Sequence, residues 1–190
     1  MTDGAIGMSD GTVVNIVADL AARLDETVQD IIRALASCGV LNADETGVRI
    51  CGKLAWMQII SSEKSSLYGR NPTRGTPNDE MNGLQSITYY TEERRLLARL
   101  AEYIDEHLRF ISDFSVPFSN NAAERGARHI KGKKKVSGGF RSDSGTDNYA
   151  TIASVAATLR KHGKSTFLAF RDAFRGRAPR FGVGVNPDPG

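Results

Sequence analysis

An aspartate, Asp44, follows the short, mostly apolar run 40–43, a pattern typical of a buried β-strand. A carboxylate that projects from the end of a rigid strand is well placed to bind a hard cation such as Mg²⁺. An acid at an ordinary strand end, with its side chain in water, explains the same pattern, and spacing alone favours this second interpretation. Asp44 is therefore a candidate metal ligand with a common structural alternative.

A second acid, Glu124, lies in the first turn of a predicted helix that begins after the capping cluster 119–121. Basic residues at +4, +7 and +11 share its helical face, and three more widen the positive surface. The six are Arg125, Arg128, Lys131, Lys133, Lys134 and Lys135. A metal-binding carboxylate beside such a stripe suits cleavage of a nucleic-acid backbone. The alternative is a solvated basic helix whose dipole favours an acid in the first turn.

The segment 131–142 follows the lysines with Gly138, Gly139, Phe140 and Arg141. Glycines allow a close approach of the backbone to a phosphate, and an aromatic ring or a guanidinium can stack on or grip a strand. The competing interpretation is a flexible surface turn. Arg141 is therefore a further candidate DNA contact.

Several helices must position these residues, since apolar side chains recur at steps of three and four. The predicted helical ranges are 9–38, 91–114, about 121–135, 147–161 and 164–175. In the first range, Asp10 or Thr12 is expected to cap the start and Gly39 the end, and the polar stretch 23–26 allows a break. Gly138 and Gly139 are expected to stop the helix that carries Glu124.

Extended segments lie between the first two helices. The predicted runs are 40–44, 48–51 and 54–60, with 65–68 as a further strand. Gly47 and the turn at Gly52 separate them, so we expect neighbouring antiparallel strands. The polar stretch 69–88 is loop or linker by composition. The fold class predicted is mixed α/β, with a short antiparallel sheet and a large helical share.

Charge is distributed unevenly along the 190 residues. Residues 1–119 carry 11 Lys and Arg against 17 Asp and Glu, a net charge of −6, whereas residues 120–190 carry 14 against 5, a net charge of +9. A basic third suggests a polyanionic partner, and a solvated basic face or tail is the alternative. With 40% hydrophobic and 25% charged residues, the composition excludes a disordered or collagen-like chain.

Other residues carry no clear chemistry. Cys38 and Cys51 cannot form a disulfide framework or a four-ligand zinc site, and we expect reduced, partly buried thiols. The three histidines show no metal-ligand spacing, and Trp56 is assigned to the core. No apolar stretch is long enough to span a bilayer, and the first residues lack a signal-peptide pattern. The expected location is the cytoplasm.

Four runs together carry a family resemblance. Residues 40–49 with 52–56, which contain Asp44-Glu45-Thr46-Gly47, resemble the first catalytic strand and hairpin of the insertion sequence 66 family of bacterial transposases. Residues 116–125, Val-Pro-Phe-Ser-Asn-Asn-Ala-Ala-Glu-Arg, resemble the family's glutamate motif, and residues 131–142 the segment after it. Residues from about 148 to 175 resemble its C-terminal helices.

The resemblance implies a partial RNase H-like core with an Asp-Asp-Glu active site. Mg²⁺ or Mn²⁺ ions held by carboxylates then activate water or a DNA 3′-hydroxyl for attack on a phosphodiester. By position, Asp44 is the first aspartate and Glu124 the glutamate, both as metal ligands. The implied partner is DNA, both element ends and target, gripped by the basic residues 125–135 and Arg141.

The chain departs from the family pattern between these runs. In the family, a strand with the second catalytic aspartate and a substantial insertion intervene. Here 71–81 resembles the run-up to that strand, but no apolar strand ending in Asp follows between 76 and 110. Asp79, Asp105 and Asp113 lie in loop or helical patterns. We therefore expect an internally deleted member that also lacks the family's N-terminal region, with two carboxylates that bind one cation weakly.

Three interpretations stay open from sequence. The first is DNA strand cleavage or transfer with Asp44, Glu124 and Mg²⁺. The second is a non-catalytic DNA-binding remnant that associates with itself or with an intact transposase. The third is a poorly folding product without function. The expected organisation is a helical segment 1–38, a truncated core 39–145 with a junction near 70–90, a helical element 146–177 and a disordered tail 178–190.

Overall fold

A computed structural model describes residues 8–74, 113 and 120–182. This part of the chain forms two helices, a three-stranded sheet and three further helices, so the predicted mixed α/β class is confirmed. The elements are α1 Asp10–Arg23, α2 Asp25–Ala36, β1 Asn42–Ile50, β2 Lys53–Ser61, β3 Ser66–Asn71, α3 Asn121–Ser137, α4 Asp143–Lys161 and α5 Thr166–Phe174. The predicted helix 91–114 lies outside the described residues, apart from Asp113.

The sheet has the order β1-β2-β3, and both pairs are antiparallel, as the short apolar runs predicted. Gly47, which permits a bend, pairs with Trp56, and the predicted runs 40–44 and 48–51 belong to one continuous strand. The two-residue turn between β1 and β2 places Cys51 at φ 50° and Gly52 at φ 78°. Positive φ at both positions is the geometry of tight hairpin turns. The turn exposes Cys51, which we expected to be partly buried.

Two groups of apolar side chains hold the helices to the sheet. The first joins α1, α2 and α4 to one end of the sheet and includes Leu24, Ile31, Leu35, Ile60, Leu67, Val155 and Leu159. The second lies between α3, α4 and the opposite face of the sheet. It includes Val48, Met57, Ile59 and Tyr68 of the sheet and Ala127 and Ile130 of α3. Because side chains alternate between faces along a strand, even-numbered residues of β1 point toward α3.

The N-terminal helical range is divided near the polar stretch 23–26, as predicted, into α1 and α2. The junction residue Leu24 is fully buried, so the bend is fixed by packing. The predicted caps are wrong. Ser9 is the N-cap of α1, its Oγ accepting from the Thr12 amide, and α2 ends at Ala36 rather than at Gly39.

The free edge of β3 is closed by polar side chains of α4. Ser154 Oγ accepts from the Tyr68 amide at 2.9 Å, and Thr158 Oγ1 accepts from the Ser66 amide at 3.1 Å. Both hydroxyl groups are buried. Since an uncovered strand edge invites pairing with another chain, these contacts complete the sheet on this side. Helix α4 is thereby part of the main structure.

The chain after α5 returns to α2. Arg180 Nε donates to Asp30 Oδ2 at 2.7 Å, the Phe181 amide donates to the same oxygen, and Thr27 Oγ1 donates to Pro179 O. Phe181 is buried in the first apolar group. Residues 178–181 are therefore fixed by ion pairing and burial, whereas composition alone predicted disorder from 178. Residues 183–190 lie outside the described part.

Candidate phosphate-binding site

Helix α3 lies close against the sheet because its inner face consists of small residues. Ala123 and Ala127 are fully buried, and Gly126 sits directly over β2 and β3. A Cβ atom on Gly126 would lie 2.9 Å from both Ile59 Cγ2 and the Tyr68 hydroxyl. Such contacts are shorter than van der Waals separation, so glycine at this position sets the distance of α3 from the sheet.

The start of α3 is tied to β1 next to Asp44. Asn120 is the N-cap residue, but its side chain makes no bond to its own helix, contrary to the capping role predicted for this cluster. Instead, Asn120 Nδ2 donates to Ala43 O at 2.7 Å. This bond places the first turn of α3, which carries Glu124, beside the residue that follows Ala43.

Asp44 lies half-buried on the face of β1 that α3 covers. Its Oδ1 accepts from the Glu45 amide at 2.8 Å. Burial raises the pKa of Asp44, and the negative charges of Glu124 and Glu45 raise it further, whereas the amide bond and the Lys131 charge lower it. The charges of Glu124 and Lys131 therefore both reach the Asp44 carboxyl. The structure brings together residues 80 positions apart in the chain.

Glu45 points to the opposite face and has a separate partner. Arg74 Nε lies 2.8 Å from Glu45 Oε1, and the Arg74 guanidinium stands 4.8 Å from the centre of the Trp56 ring. Trp56 is only half-buried, so our assignment of this residue to the core is wrong. Sequence reasoning missed this stack because residue 74 follows β3 in a stretch that composition assigned to loop.

The predicted basic residues of α3, named here the α3 stripe, divide into two environments. Five are exposed: Arg125, Arg128, Lys131, Lys134 and Lys135. Lys133 is half-buried, with Nζ 5.0 Å from the centre of the Phe140 ring and 5.5 Å from that of Tyr149. Cation–π contact thus holds Lys133 at the end of the helix. Arg141 is exposed beside the stripe.

The segment after α3 is ordered by contacts within the chain. Gly138 ends the helix at φ 71°, as the paired glycines predicted. A Cβ atom on Gly139 would lie 2.5 Å from Arg49 O, and Phe140 forms an isolated parallel bridge with Ile50. The close approach that we considered for a phosphate is thus already made to β1. Phe140 packs on Tyr149 with ring centres 5.2 Å apart.

The donor set at Asp44 suits a single hard cation. Asp44 Oδ1 is engaged by the Glu45 amide, and Glu124 is exposed to solvent. Over the residues that the structure describes, no group of three or more His, Cys, Asp or Glu side chains is placed to hold a metal ion. Two carboxylates and solvent can complete the oxygen shell of one Mg²⁺ ion, because this ion keeps several waters in most protein sites.

Comparison with known proteins covers one part of the chain that forms this site. Residues 78–148 match the family model described as "Transposase IS66 family". The match covers a little over a third of the chain and includes Glu124, the α3 stripe and Arg141, but it does not reach Asp44.

A curated relative is the uncharacterized protein y4jO of Sinorhizobium fredii (strain NBRC 101917 / NGR234). It is 35% identical over 78 residues, which make up 41% of this chain and 24% of that protein. The chain thus spans about a quarter of the relative's length. No solved structure matches.

One negative finding concerns membranes. No helix in the ranges 8–74 and 120–182 combines the length and the apolar character needed to cross a bilayer.

Proposed function

We propose that this chain binds DNA and carries a transposase-type site for divalent-metal phosphoryl transfer at the contact between β1 and α3. In this proposal, Asp44 and Glu124 hold one Mg²⁺ or Mn²⁺ ion and the α3 stripe contacts the DNA backbone. The family match over residues 78–148 supports the class of reaction. The observation that carries the assignment is the 2.7 Å hydrogen bond from Asn120 Nδ2 to Ala43 O, which holds the first turn of α3 against β1 next to Asp44.

The residues divide the work by their charge. The metal, when bound, supplies Lewis acidity at the phosphodiester and a nucleophile of lowered pKa. Asp44, whose Oδ1 is fixed by the Glu45 amide, and exposed Glu124 would hold the ion between them. Lys131 lies on the same side and offsets the charge of a bound phosphate. We also propose that this chain keeps part of an RNase H-like core. The retained part consists of the antiparallel strands β1, β2 and β3, with Asp44 on β1 and helix α3 packed across the sheet.

The test is metal-dependent nicking of supercoiled DNA that carries candidate element ends. We expect activity with Mg²⁺ or Mn²⁺ that falls by about 100-fold or more in Asp44→Asn and in Glu124→Gln, because each change removes a metal-binding charge. Asp19→Asn, at an exposed acid of α1 outside the basic α3 stripe, is the matched control and should keep full activity. Equal activity in all four proteins would show that the assignment of the two carboxylates is wrong.

A pair of glycines on α3 tests the position of the helix separately from its charge. Gly126→Ala forces α3 away from Ile59 and Tyr68, so nicking should fall by about tenfold or more while DNA affinity stays within about twofold. Gly132→Ala meets open space and should leave nicking unchanged. If both variants nick DNA at the wild-type rate, close docking of α3 is not required for the reaction.

A second candidate is a non-catalytic DNA-binding protein that acts with a second copy or with an intact transposase. It is favoured by the finding that, within the described ranges, no third carboxylate accompanies Asp44 and Glu124. DNA binding that weakens with salt, together with no metal-dependent nicking by wild-type protein, would support this candidate over the first.

A further inference from the structure

A second group of basic residues lies at the end of the sheet where β2 turns into β3. The cations belong to the turn and to the C-terminal end of α4, and we name them the hairpin-end patch: Lys64, Arg160, Lys161 and Lys164. All four residues are exposed. Glu63 is the acid within the same turn, so four positive charges and one negative charge give a local net charge of +3.

Hydrogen bonds hold this patch together. Lys161 Nζ donates to Ser62 O at 2.6 Å and to Ser65 O at 2.9 Å, so the ammonium group bridges both sides of the turn that presents Lys64. Burial of the Lys161 ammonium group against the turn lowers its pKa to about 8. Lys64 therefore projects from a turn that α4 fixes in place.

The neighbouring histidine shows that the other lysines lie close together. Burial lowers the pKa of His162, and the positive charges of Lys164 and Lys64 lower it further. Cations from the turn and from the loop before α5 thus act on one imidazole ring. A net positive charge at this end of the sheet raises the local concentration of polyanions and favours their binding.

Arg160 connects this patch with α3. Burial raises the pKa of Tyr68 to about 12, and Arg160 acts against this shift, so the guanidinium lies within electrostatic range of the Tyr68 hydroxyl. The same hydroxyl is the atom that a Cβ on Gly126 of α3 would contact. Ala157, which precedes Arg160 by three positions on the same helical face, packs in the second apolar group with Ala127 of α3. Arg160 therefore lies on the α3 side of α4, and this edge of the hairpin-end patch faces the same side as α3.

The carboxylate pair lies between the two basic regions. Asp44 pairs with Ile59, two residues before Ser61 at the hairpin end of β2. Glu124 occupies the first turn of α3, and most of the stripe follows it toward the other end of the sheet. Helix α3 is about 25 Å long, at 1.5 Å per residue, and this length matches roughly seven base pairs of duplex DNA.

We propose that the hairpin-end patch binds the phosphate backbone of the same DNA that the α3 stripe holds, so that the duplex is gripped on both sides of Asp44 and Glu124. This inference rests on the proposed function, because it extends the DNA contact of that site. The ligand is a nucleic-acid duplex, recognised through its regularly spaced phosphates rather than through its base sequence.

The test measures the affinity of the full-length protein for a 20-base-pair duplex of arbitrary sequence by fluorescence anisotropy at several salt concentrations. Three double variants each remove two positive charges. They are Lys64→Ala/Arg160→Ala in the hairpin-end patch, Lys134→Ala/Lys135→Ala in the α3 stripe, and Arg175→Ala/Arg177→Ala as the control. The two control arginines lie after α5 and both pair with Asp172. Lys161 is left intact because it holds the turn.

We expect the hairpin-end and stripe variants each to lower the slope of log K against log salt by about 2, since each lost phosphate contact removes about 0.9. At about 0.15 M salt, the Kd should rise roughly tenfold in each, and the control should stay near wild type. The quadruple variant of both patches should lose about 4 in slope, because one duplex contacts both surfaces.

Two results would overturn the inference in different ways. If the hairpin-end variant keeps the wild-type slope while the stripe variant loses about 2, the patch does not contact DNA and the proposed function stands without it. If wild-type protein binds no duplex at low salt, the inference and the DNA-binding part of the proposed function both fail. Circular dichroism melts of the variants establish that each is folded.

Discussion

Two aspartates with little exposure, Asp30 and Asp44, lie in opposite electrostatic environments. Asp30 on α2 accepts hydrogen bonds from Arg180, Arg33 and the Phe181 amide, and these partners lower its pKa to about 2 despite burial. Asp44 has a raised pKa, because burial and two nearby acids outweigh one amide bond and Lys131.

The difference separates a structural acid from an acid available for chemistry. The bonds at Asp30 are made within the folded chain, so its charge contributes to stability. At Asp44, part of the charge remains uncompensated, so an external cation can gain free energy by binding there. Residues poised for function are often those that the fold does not stabilise.

The largest predicted effect concerns Asp30. Asp30→Asn places an amide donor against the donors of Arg180 and Phe181, so we expect the free energy of unfolding to fall by about 1–3 kcal/mol. Urea denaturation at neutral pH measures this change. Asp19→Asn is the control, because Asp19 pairs with Arg23 at an exposed site and should change stability by less than about 0.5 kcal/mol. Equal effects of the two substitutions would contradict the role given to Asp30.

Acid titration of the wild-type protein should show an intermediate effect. Because the pKa of Asp30 is lower in the folded state, its contribution is complete above pH 4 and is lost as pH falls toward 2. Because the Arg180 side chain is largely exposed, water screens its ion pair with Asp30. We therefore expect the free energy of unfolding to fall by about 1 kcal/mol over this window. Denaturation at pH 4.5 and at pH 2 gives the value. Asp30→Asn should lack this part of the loss, and an identical loss in the variant would reject the assignment.

The smallest effect is expected at Asp44 and has the opposite sign. An acid with a raised pKa in the folded state destabilises the fold as pH rises through that pKa. Asp44→Asn should therefore raise the free energy of unfolding at pH 7, while metal-dependent nicking is lost. The gain should disappear at acidic pH, where the wild-type carboxyl is protonated. A loss of stability at pH 7 would mean that Asp44 is a structural residue.

Sequence patterns predicted the elements better than the contacts between them. The apolar spacing located α1 and α2 with the break between them, the helices α4 and α5, and the antiparallel hairpins. Local patterns are read from neighbouring residues, and these elements depend on such patterns. The stop of α3 at Gly138 was predictable for the same reason, since a left-handed residue at a helix end favours glycine.

The contacts that the sequence did not predict are interactions between distant parts of the chain. Asn120 bonds to β1 instead of capping its helix, Gly139 contacts the Arg49 backbone, and Arg180 returns to Asp30 from a stretch that composition assigned to disorder. Each depends on a partner at least 77 residues away, which no local pattern reveals. The bond from Asn120 to Ala43 brings the first turn of α3 next to β1. That Asp44 and Glu124 share a metal ion stays a prediction from family resemblance.

The return of residues 178–181 to α2 determines where the protein can be shortened. A chain that stops at Arg177 removes Arg180 and the Phe181 amide from Asp30 and uncovers the apolar pocket that the Phe181 ring fills. Protease digestion should accordingly spare this stretch, and fusion partners attached directly after Arg177 should lower the yield of folded protein.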